Sequence, residues 1–161
     1  ILFSENVLRT MMKETGDFLV AVDRDWKAYW QARYGRVDFD TESLSIDESG
    51  CITDLGRENP PLETIDARYI GLLKFSCRGL NIIEQVMRKA YALEENEPWQ
   101  QSGKPVRKAY MTDLLQALIE EKEAVKAVSF QHGWIEFDTN EDYETACGWA
   151  GDGTLNKFVT L

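Results

Sequence analysis

Asp17-Phe18-Leu19-Val20-Ala21-Val22-Asp23 is the segment that most narrows what this chain can fold into. Five apolar residues run without alternation into an acid, which is the pattern of a strand covered on both faces. Such a strand needs a layer on each side, and the flanking sequence provides candidates. Ser4 is a good helix N-cap, and Val7, Leu8, Met11 and Met12 follow at helical spacing until Gly16. Arg24 to Tyr34 carries Trp26, Tyr29, Trp30 and Tyr34 and predicts an aromatic-heavy helix ended by Gly35. From Val37 to Leu55 the period drops to two around Asp47-Glu48-Ser49-Gly50, which predicts a hairpin.

Beyond the loop at Asn59-Pro60-Pro61, Arg68 to Ser76 is a second apolar run, followed by an amphipathic helix marked by Leu80, Ile83, Val86, Met87, Ala90 and Leu93. Glu94 to Lys104 is polar, holds Pro98 and Gly103, and reads as a mobile loop. Met111, Leu114, Leu115, Leu118 and Ile119 mark another helix. Val125–Phe130 and Trp134–Phe137 read as strands joined by Gln131-His132-Gly133, after which Asn140 is expected to cap a helix from Glu141 to Trp149. Gly148, Gly151 and Gly153 are expected to loosen the chain that follows. Ile1-Leu2-Phe3 reads as the tail of a central strand. The expected fold class is therefore α/β: a mostly parallel or mixed sheet flanked by helices, with an inserted β-hairpin.

Composition trims the functional options. With 161 residues one domain is the default. The formal net charge of −10 and the lack of a basic block exclude a nucleic-acid partner. No apolar run approaches the ~20 residues needed to span a bilayer, so no membrane association is expected. Cys51, Cys77 and Cys147 lie far apart without metal-ligand spacing, and read as buried, reduced thiols of a cytoplasmic protein.

Open α/β sheets present ligands beyond the carboxyl ends of their strands. Two acids occupy such positions, Asp23 after Phe18–Val22 and Asp138 after Trp134–Phe137. A carboxylate there can hold Mg²⁺, which takes one or two carboxylates together with substrate phosphates. The plainer alternative is that Asp138 or Thr139 only caps the following helix. His132, the single histidine, reads as a surface residue in a tight turn, and neither a Walker A loop nor a GxGxxG motif occurs. Trp26, Tyr29, Trp30 and Tyr34 suit core or lid packing. Their sharper reading is a box for a quaternary ammonium, because aromatic faces attract cations at ~0.5–2 kcal/mol each.

Three stretches carry a likeness to a known family. They are Tyr110-Met111-Thr112-Asp113 with the helix that follows, Val125–Val128, and Gly133-Trp134-Ile135-Glu136-Phe137-Asp138-Thr139-Asn140-Glu141-Asp142-Tyr143-Glu144-Thr145-Ala146. Together they resemble the end of the nucleotidyltransferase domain of sugar-nucleotide pyrophosphorylases. The likeness is greatest to the small cytidylyltransferase branch, which includes choline-phosphate cytidylyltransferases and domains fused to phosphoenolpyruvate phosphomutase. Ala67–Ser76 and Phe18–Trp26 resemble that branch too, so the likeness covers nearly all of residues 1–149. It implies an incomplete Rossmann-like domain, with 1–161 as the C-terminal portion of a single nucleotidyltransferase domain. The nucleotide-binding portion, with its glycine-rich loop and first metal-binding aspartate, would lie outside these residues.

The resemblance further implies Mg²⁺-dependent transfer of a nucleoside monophosphate, CMP from CTP, to a small phosphate or phosphonate acceptor such as phosphocholine, with release of pyrophosphate. Asp138 corresponds to the second metal-binding and catalytic aspartate. Asp23, Trp26, Tyr29, Trp30, Gly71 and Glu136 are the expected substrate-binding residues. These residues alone are expected to be inactive, and an exposed sheet edge would favour a homo-oligomer. The alternatives are a sugar-1-phosphate nucleotidyltransferase and a non-catalytic α/β remnant used for subunit contacts.

Overall fold

The computed structural model describes residues 1–160. The chain begins with β1 (Leu2–Phe3), α1 (Glu5–Lys13), β2 (Phe18–Asp23) and α2 (Trp26–Tyr34). A hairpin follows, β3 (Glu42–Ile46) and β4 (Ile52–Glu58), and then β5 (Arg68–Phe75) and α3 (Cys77–Ala90). Two short strands, β6 (Pro98–Trp99) and β7 (Lys104–Pro105), precede α4 (Met111–Glu120), β8 (Val125–Phe130), β9 (Trp134–Ile135) and α5 (Asn140–Asp152).

All six residues of β2 are buried, as its unbroken apolar run requires. β2 is the middle strand of a three-stranded sheet, antiparallel to β5 and parallel to β8, so the sheet is of mixed orientation and flanked by helices. The pleat sends alternate side chains to opposite faces. Leu19 and Ala21 join Val7 and Met11 of α1 and the aromatics of α2 in one core, while Phe18, Val20 and Val22 join Leu44, Ile52 and Leu55 of the hairpin with Leu115 and Leu118 of α4 in the other.

Local chemistry explains the helix limits. Ser4 Oγ accepts from Val7 N–H at 3.4 Å and starts α1, and Lys74 Nζ donates to the carbonyls of Met11, Met12 and Glu14 where the helix ends. Gly35 ends α2 in the left-handed region, φ 70°, where glycine pays no side-chain penalty. Asp47 holds the hairpin turn by accepting from Ser49 N–H at 2.8 Å and Cys51 N–H at 3.0 Å.

Several expectations are corrected. Ile1–Phe3 does not end a central strand: β1 pairs antiparallel with β9 in a separate two-stranded ladder, Leu2 opposite Ile135 and Phe3 opposite Trp134. β9 is two residues long, not four: the chain leaves the main sheet at His132 and Gly133, φ 59° and 90°, and β9 pairs only with the two residues of β1. Residues 94–104 are not a bare loop. Trp99 of β6 is buried against Val86, Ala90 and Ala117, and Asp113 accepts from both Ser102 N–H and Ser102 Oγ. α5 is capped by Thr139 rather than Asn140 and runs through Gly148 and Gly151 to Asp152. The thiols are not buried: Cys77 and Cys147 are exposed and Cys51 is half-buried.

Candidate functional site

Asp23 ends β2 with no exposure to solvent. Its Oδ1 accepts from Asp25 N–H at 2.8 Å and His132 N–H at 3.1 Å, and its Oδ2 accepts from Trp134 Nε1 at 2.9 Å. The His132 ring lies 3.4 Å from Oδ2 through Nδ1 and stands edge-on to Phe158, so the single histidine is packed into the turn rather than displayed on the surface. A buried carboxylate needs this many donors to offset its lost hydration. The same donors leave it no face for a substrate, and Asp23 pins the turn between β8 and β9 instead.

The expected aromatic box is likewise closed. Trp26, Tyr29 and Trp30 are at most 2% exposed. Tyr29 and Trp30 meet edge to face at 5.6 Å, and Tyr29 meets Trp134 in the same way at 5.2 Å. The chain's own cations take the ring faces that a quaternary ammonium would need. The Arg68 guanidinium sits 4.5 Å from the Trp30 centroid, that of Arg33 sits 4.5 Å from Tyr34, and Lys27 Nζ is 5.7 Å from Trp26. Tyr29 does reach the site segment: its hydroxyl accepts from Glu136 N–H at 3.0 Å and donates to the Glu136 carbonyl at 3.4 Å. Burial pushes this phenol up to about 12.

Beyond β9 the chain folds over the end of α2, where Arg33 gathers three carboxylates. Arg33 is in the last turn of α2, and its side chain is 3% exposed. Its Nε and one terminal nitrogen grip the two oxygens of Asp142 at 2.7 and 2.9 Å. That same nitrogen also donates to Asp138 Oδ2 at 2.7 Å, and the other terminal nitrogen pairs with Glu136. Asp142 Oδ2 additionally accepts from the backbone N–H groups of Asp138 and Thr139, both at 2.9 Å, and from Thr139 Oγ1 at 3.0 Å. Thr139 Oγ1 accepts in return from Asp142 N–H at 3.1 Å, so the helix cap and the ion cluster are one structure.

The charges respond to this packing. The Arg33 guanidinium and the surrounding N–H donors outweigh burial and hold the Asp142 carboxyl well below the usual carboxylate range. Burial raises Glu136 above its ordinary value, against the pull of Arg33 and Arg68. Burial alone would lower Arg33, but its bonds to Asp142 and Asp138 keep it above its usual value.

Gly71 lies in an irregular stretch of β5, where Tyr69 pairs with Val22 and Leu73 with Val20. Gly71 adopts φ 78°, and a Cβ on it would come within 2.7 Å of Ile1 Cδ1. Ile1 extends β1 past the Leu2–Ile135 pair, toward the residues that follow β9. In the main sheet Gly71 lies between the residues that pair with Val20 and Val22, and Asp23 pairs with Arg68 of the same strand. The structure gathers Glu136 and Asp138 on Arg33, sets Gly71 against Ile1, and ties Asp23 into the turn between β8 and β9. Arg33 and Asp142, which organise this cluster, were not among the expected site residues. The available signal was a cation among the aromatics of Trp26–Tyr34, needing partners that the acids at 136, 138 and 142 provide.

Asp138 is not the helix cap, since Thr139 holds that position. Its side chain is 63% exposed, and Arg33 engages one of its oxygens. Among the described residues no group of three or more His, Cys, Asp or Glu side chains forms a metal site. Asp138 therefore fits Mg²⁺ only as a single protein ligand, a donor set that suffices where substrate phosphates complete the shell. The hollow of about 490 Å³ lined by Ser4, His132, Gly133, Lys157 and Phe158 is at the far end of the small ladder. Among the described residues no helix is long and apolar enough to cross a membrane.

No family model matches the chain. Over 144 residues, 89% of its length, it is 30% identical to the CTP:phosphoglutamine cytidylyltransferase of Campylobacter jejuni. The chain spans about half, 54%, of that relative's own length.

Proposed function

With the chain a relative of cytidylyltransferase-type nucleotidyltransferases, as its Trp134–Asp142 motif led us to expect, we propose that it forms the acceptor side of an enzyme transferring CMP from CTP to a small phosphorylated acceptor. The observation that carries this reading is the state of Asp138. The carboxylate of the most family-specific motif is the exposed arm of an otherwise buried ion cluster.

In the proposed reaction an oxygen of the acceptor phosphate or phosphonate attacks the α-phosphorus of CTP. The bond from that phosphorus to the bridging α–β oxygen breaks, and pyrophosphate leaves with the electron pair. Two polyanions must approach each other beside a chain of net charge −10, so positioning and charge neutralisation are the main tasks. Mg²⁺, when bound, supplies neutralisation. Asp138 is the side chain we assign to hold it together with substrate phosphates, and Arg33 keeps that carboxylate in place. Glu136 is assigned to the wall of the acceptor site through its backbone, whose N–H and carbonyl are fixed by Tyr29.

The acceptor we assign is a phosphate or phosphonate on a small polar group. The relative acts, by its name, on phosphoglutamine, which falls in that class. Recognition of a quaternary ammonium by Trp26 or Trp30 is not part of the reading, because those rings are closed. The test is pyrophosphate release by the full-length protein with CTP and phosphoglutamine, phosphocholine, 2-aminoethylphosphonate or a sugar 1-phosphate. Turnover with one of the first three, lost in Asp138→Asn, is expected. Turnover on the sugar 1-phosphate alone, or full activity in Asp138→Asn, would overturn the proposal.

A further inference from the structure

We propose that the Arg33–Asp142 ion pair is a positioning device that orients Asp138 for a divalent cation, a role that rests on the functional reading above. An aspartate as exposed as Asp138 would ordinarily sample several rotamers, and binding would have to freeze them. Asp138 is held at two points instead. Its carboxylate takes a hydrogen bond from the Arg33 guanidinium at 2.7 Å, and its backbone N–H donates to Asp142 Oδ2 at 2.9 Å. Both holds come from the two members of one bridge.

That bridge is itself rigid. The guanidinium is fixed by two bonds to Asp142, by its pairing with Glu136, and by the Tyr34 ring 4.5 Å below it. Arg33, Asp142 and Glu136 are 3%, 8% and 16% exposed, so none can swing outward. Almost no free volume, about 10 Å³, remains where Tyr29, Arg33, Glu136, Asp142 and Trp149 meet. Asp138 is the only exposed arm of the four.

The charge balance favours the same conclusion. Three carboxylates on one guanidinium leave a formal charge of 1 − 3 = −2, and the only accessible part of that surplus is Asp138. Arg68 also acts on Glu136, and a divalent cation arriving with CTP is opposite in sign to the charge that remains at Asp138. The guanidinium fork is essential, since a lysine ammonium keeps the charge but cannot bridge Asp142 bidentately while reaching Asp138 and Glu136.

Electrostatics and positioning predict opposite signs, which makes the proposal testable. Removing a cation from beside a metal ligand should tighten metal binding if charge alone matters. If Arg33 positions Asp138, removing it should weaken binding. The measurement is Mn²⁺ affinity of the full-length protein with CTP present, read by electron paramagnetic resonance, alongside kcat, KM and the melting temperature. Arg33→Met and the charge-preserving Arg33→Lys are both expected to weaken Mn²⁺ binding by about 10–100-fold, the usual cost of disturbing a residue that orients a metal ligand. High Mg²⁺ should recover part of the lost kcat, while KM for the acceptor changes little. In an Asp138→Asn background, Arg33→Lys should add no further loss.

If Arg33 variants do not fold, Asp142→Glu serves the same purpose. It keeps the charge and a residue suited to the capping box but displaces the bridge, and a loss of Mn²⁺ affinity is again expected. Unchanged or tighter Mn²⁺ binding in these variants, with Asp138→Asn impaired, would overturn the positioning role alone. Wild-type Mn²⁺ binding in Asp138→Asn would overturn the functional reading beneath it.

Discussion

Asp23 and Asp138 carry the same mark in the sequence, an acid closing an apolar run, and the structure gives them opposite roles. Asp23 is wholly enclosed and accepts three N–H donors, two from backbone and one from an indole. Asp138 lies mostly in solvent and meets one guanidinium. Fully paired and dry, a carboxylate becomes part of the framework, because any ligand would have to displace bonds that cannot be replaced by water. Wet, and braced from below, a carboxylate keeps lone pairs for a ligand without losing its orientation. Burial and donor supply from distant segments, not the local motif, separate the two cases.

The contrast can be broken at either end. Asp23→Ala should give the largest effect, about 3–5 kcal/mol of lost stability, since it strands Trp134 Nε1 and two backbone N–H groups. Urea denaturation measures it, and a loss under ~0.5 kcal/mol, the surface norm, would remove the distinction. Asp138→Asn should do the reverse. Turnover of the full-length protein with CTP falls by about 100-fold or more, equivalent to ~2.7 kcal/mol, while stability moves by less than ~0.5 kcal/mol. An equal loss of stability and activity would place Asp138 in the framework beside Asp23.

Acid titration sharpens the same boundary. The Asp142 carboxyl is held below its ordinary value, so its contribution to stability is complete above the unfolded aspartate range near ~3.9 and is lost as pH falls through the folded value. Glu136 acts with the opposite sign: burial raises its value, so the folded state takes up that proton more readily and gains stability as pH falls through it. The gap between wild type and Asp142→Asn should therefore begin to close below about pH 4 and go on narrowing as pH falls further, and curves that stay parallel would contradict the role given to Asp142. The smallest effect belongs to Tyr29→Phe. Losing the hydroxyl that holds the Glu136 backbone should cost about 1 kcal/mol by chemical denaturation, and no change would mean that Glu136 is fixed from elsewhere.

Much of the framework was readable because its causes are local. The Phe18–Asp23 run, the Ser4 cap, the Asp47–Gly50 turn and Gly35 each act within a few residues, and each element lies where the pattern places it. The likeness to cytidylyltransferases was readable for a similar reason, since the stretch from Trp134 to Ala146 is continuous. What escaped depends on partners far along the chain. Arg33 meets Glu136, Asp138 and Asp142 across 103, 105 and 109 residues, and Trp134 meets Asp23 across 111. No periodicity reports such pairings. The aromatics of α2 were assigned to two uses, and spacing could not choose between them, because a ring at helical period looks the same whether its face is open or carries Arg68. β9 was overestimated because Phe137 extends the apolar content of Trp134–Ile135, although the chain has already left its partner β1.

The Arg33 cluster also turns the interval from Glu136 to Asp142 into a ruler. One guanidinium of fixed shape meets side chains at 136, 138 and 142, and the last of these also sets the start of a helix. An insertion or deletion of one residue inside that interval would move at least one carboxylate by a residue's length, about 3.3–3.8 Å, more than any of those bonds can stretch. Length changes in the turn at Asp47–Gly50, which borrows nothing from the cluster, would leave it intact. Drift in length among versions of this chain should therefore collect in the hairpin and stop at Glu136.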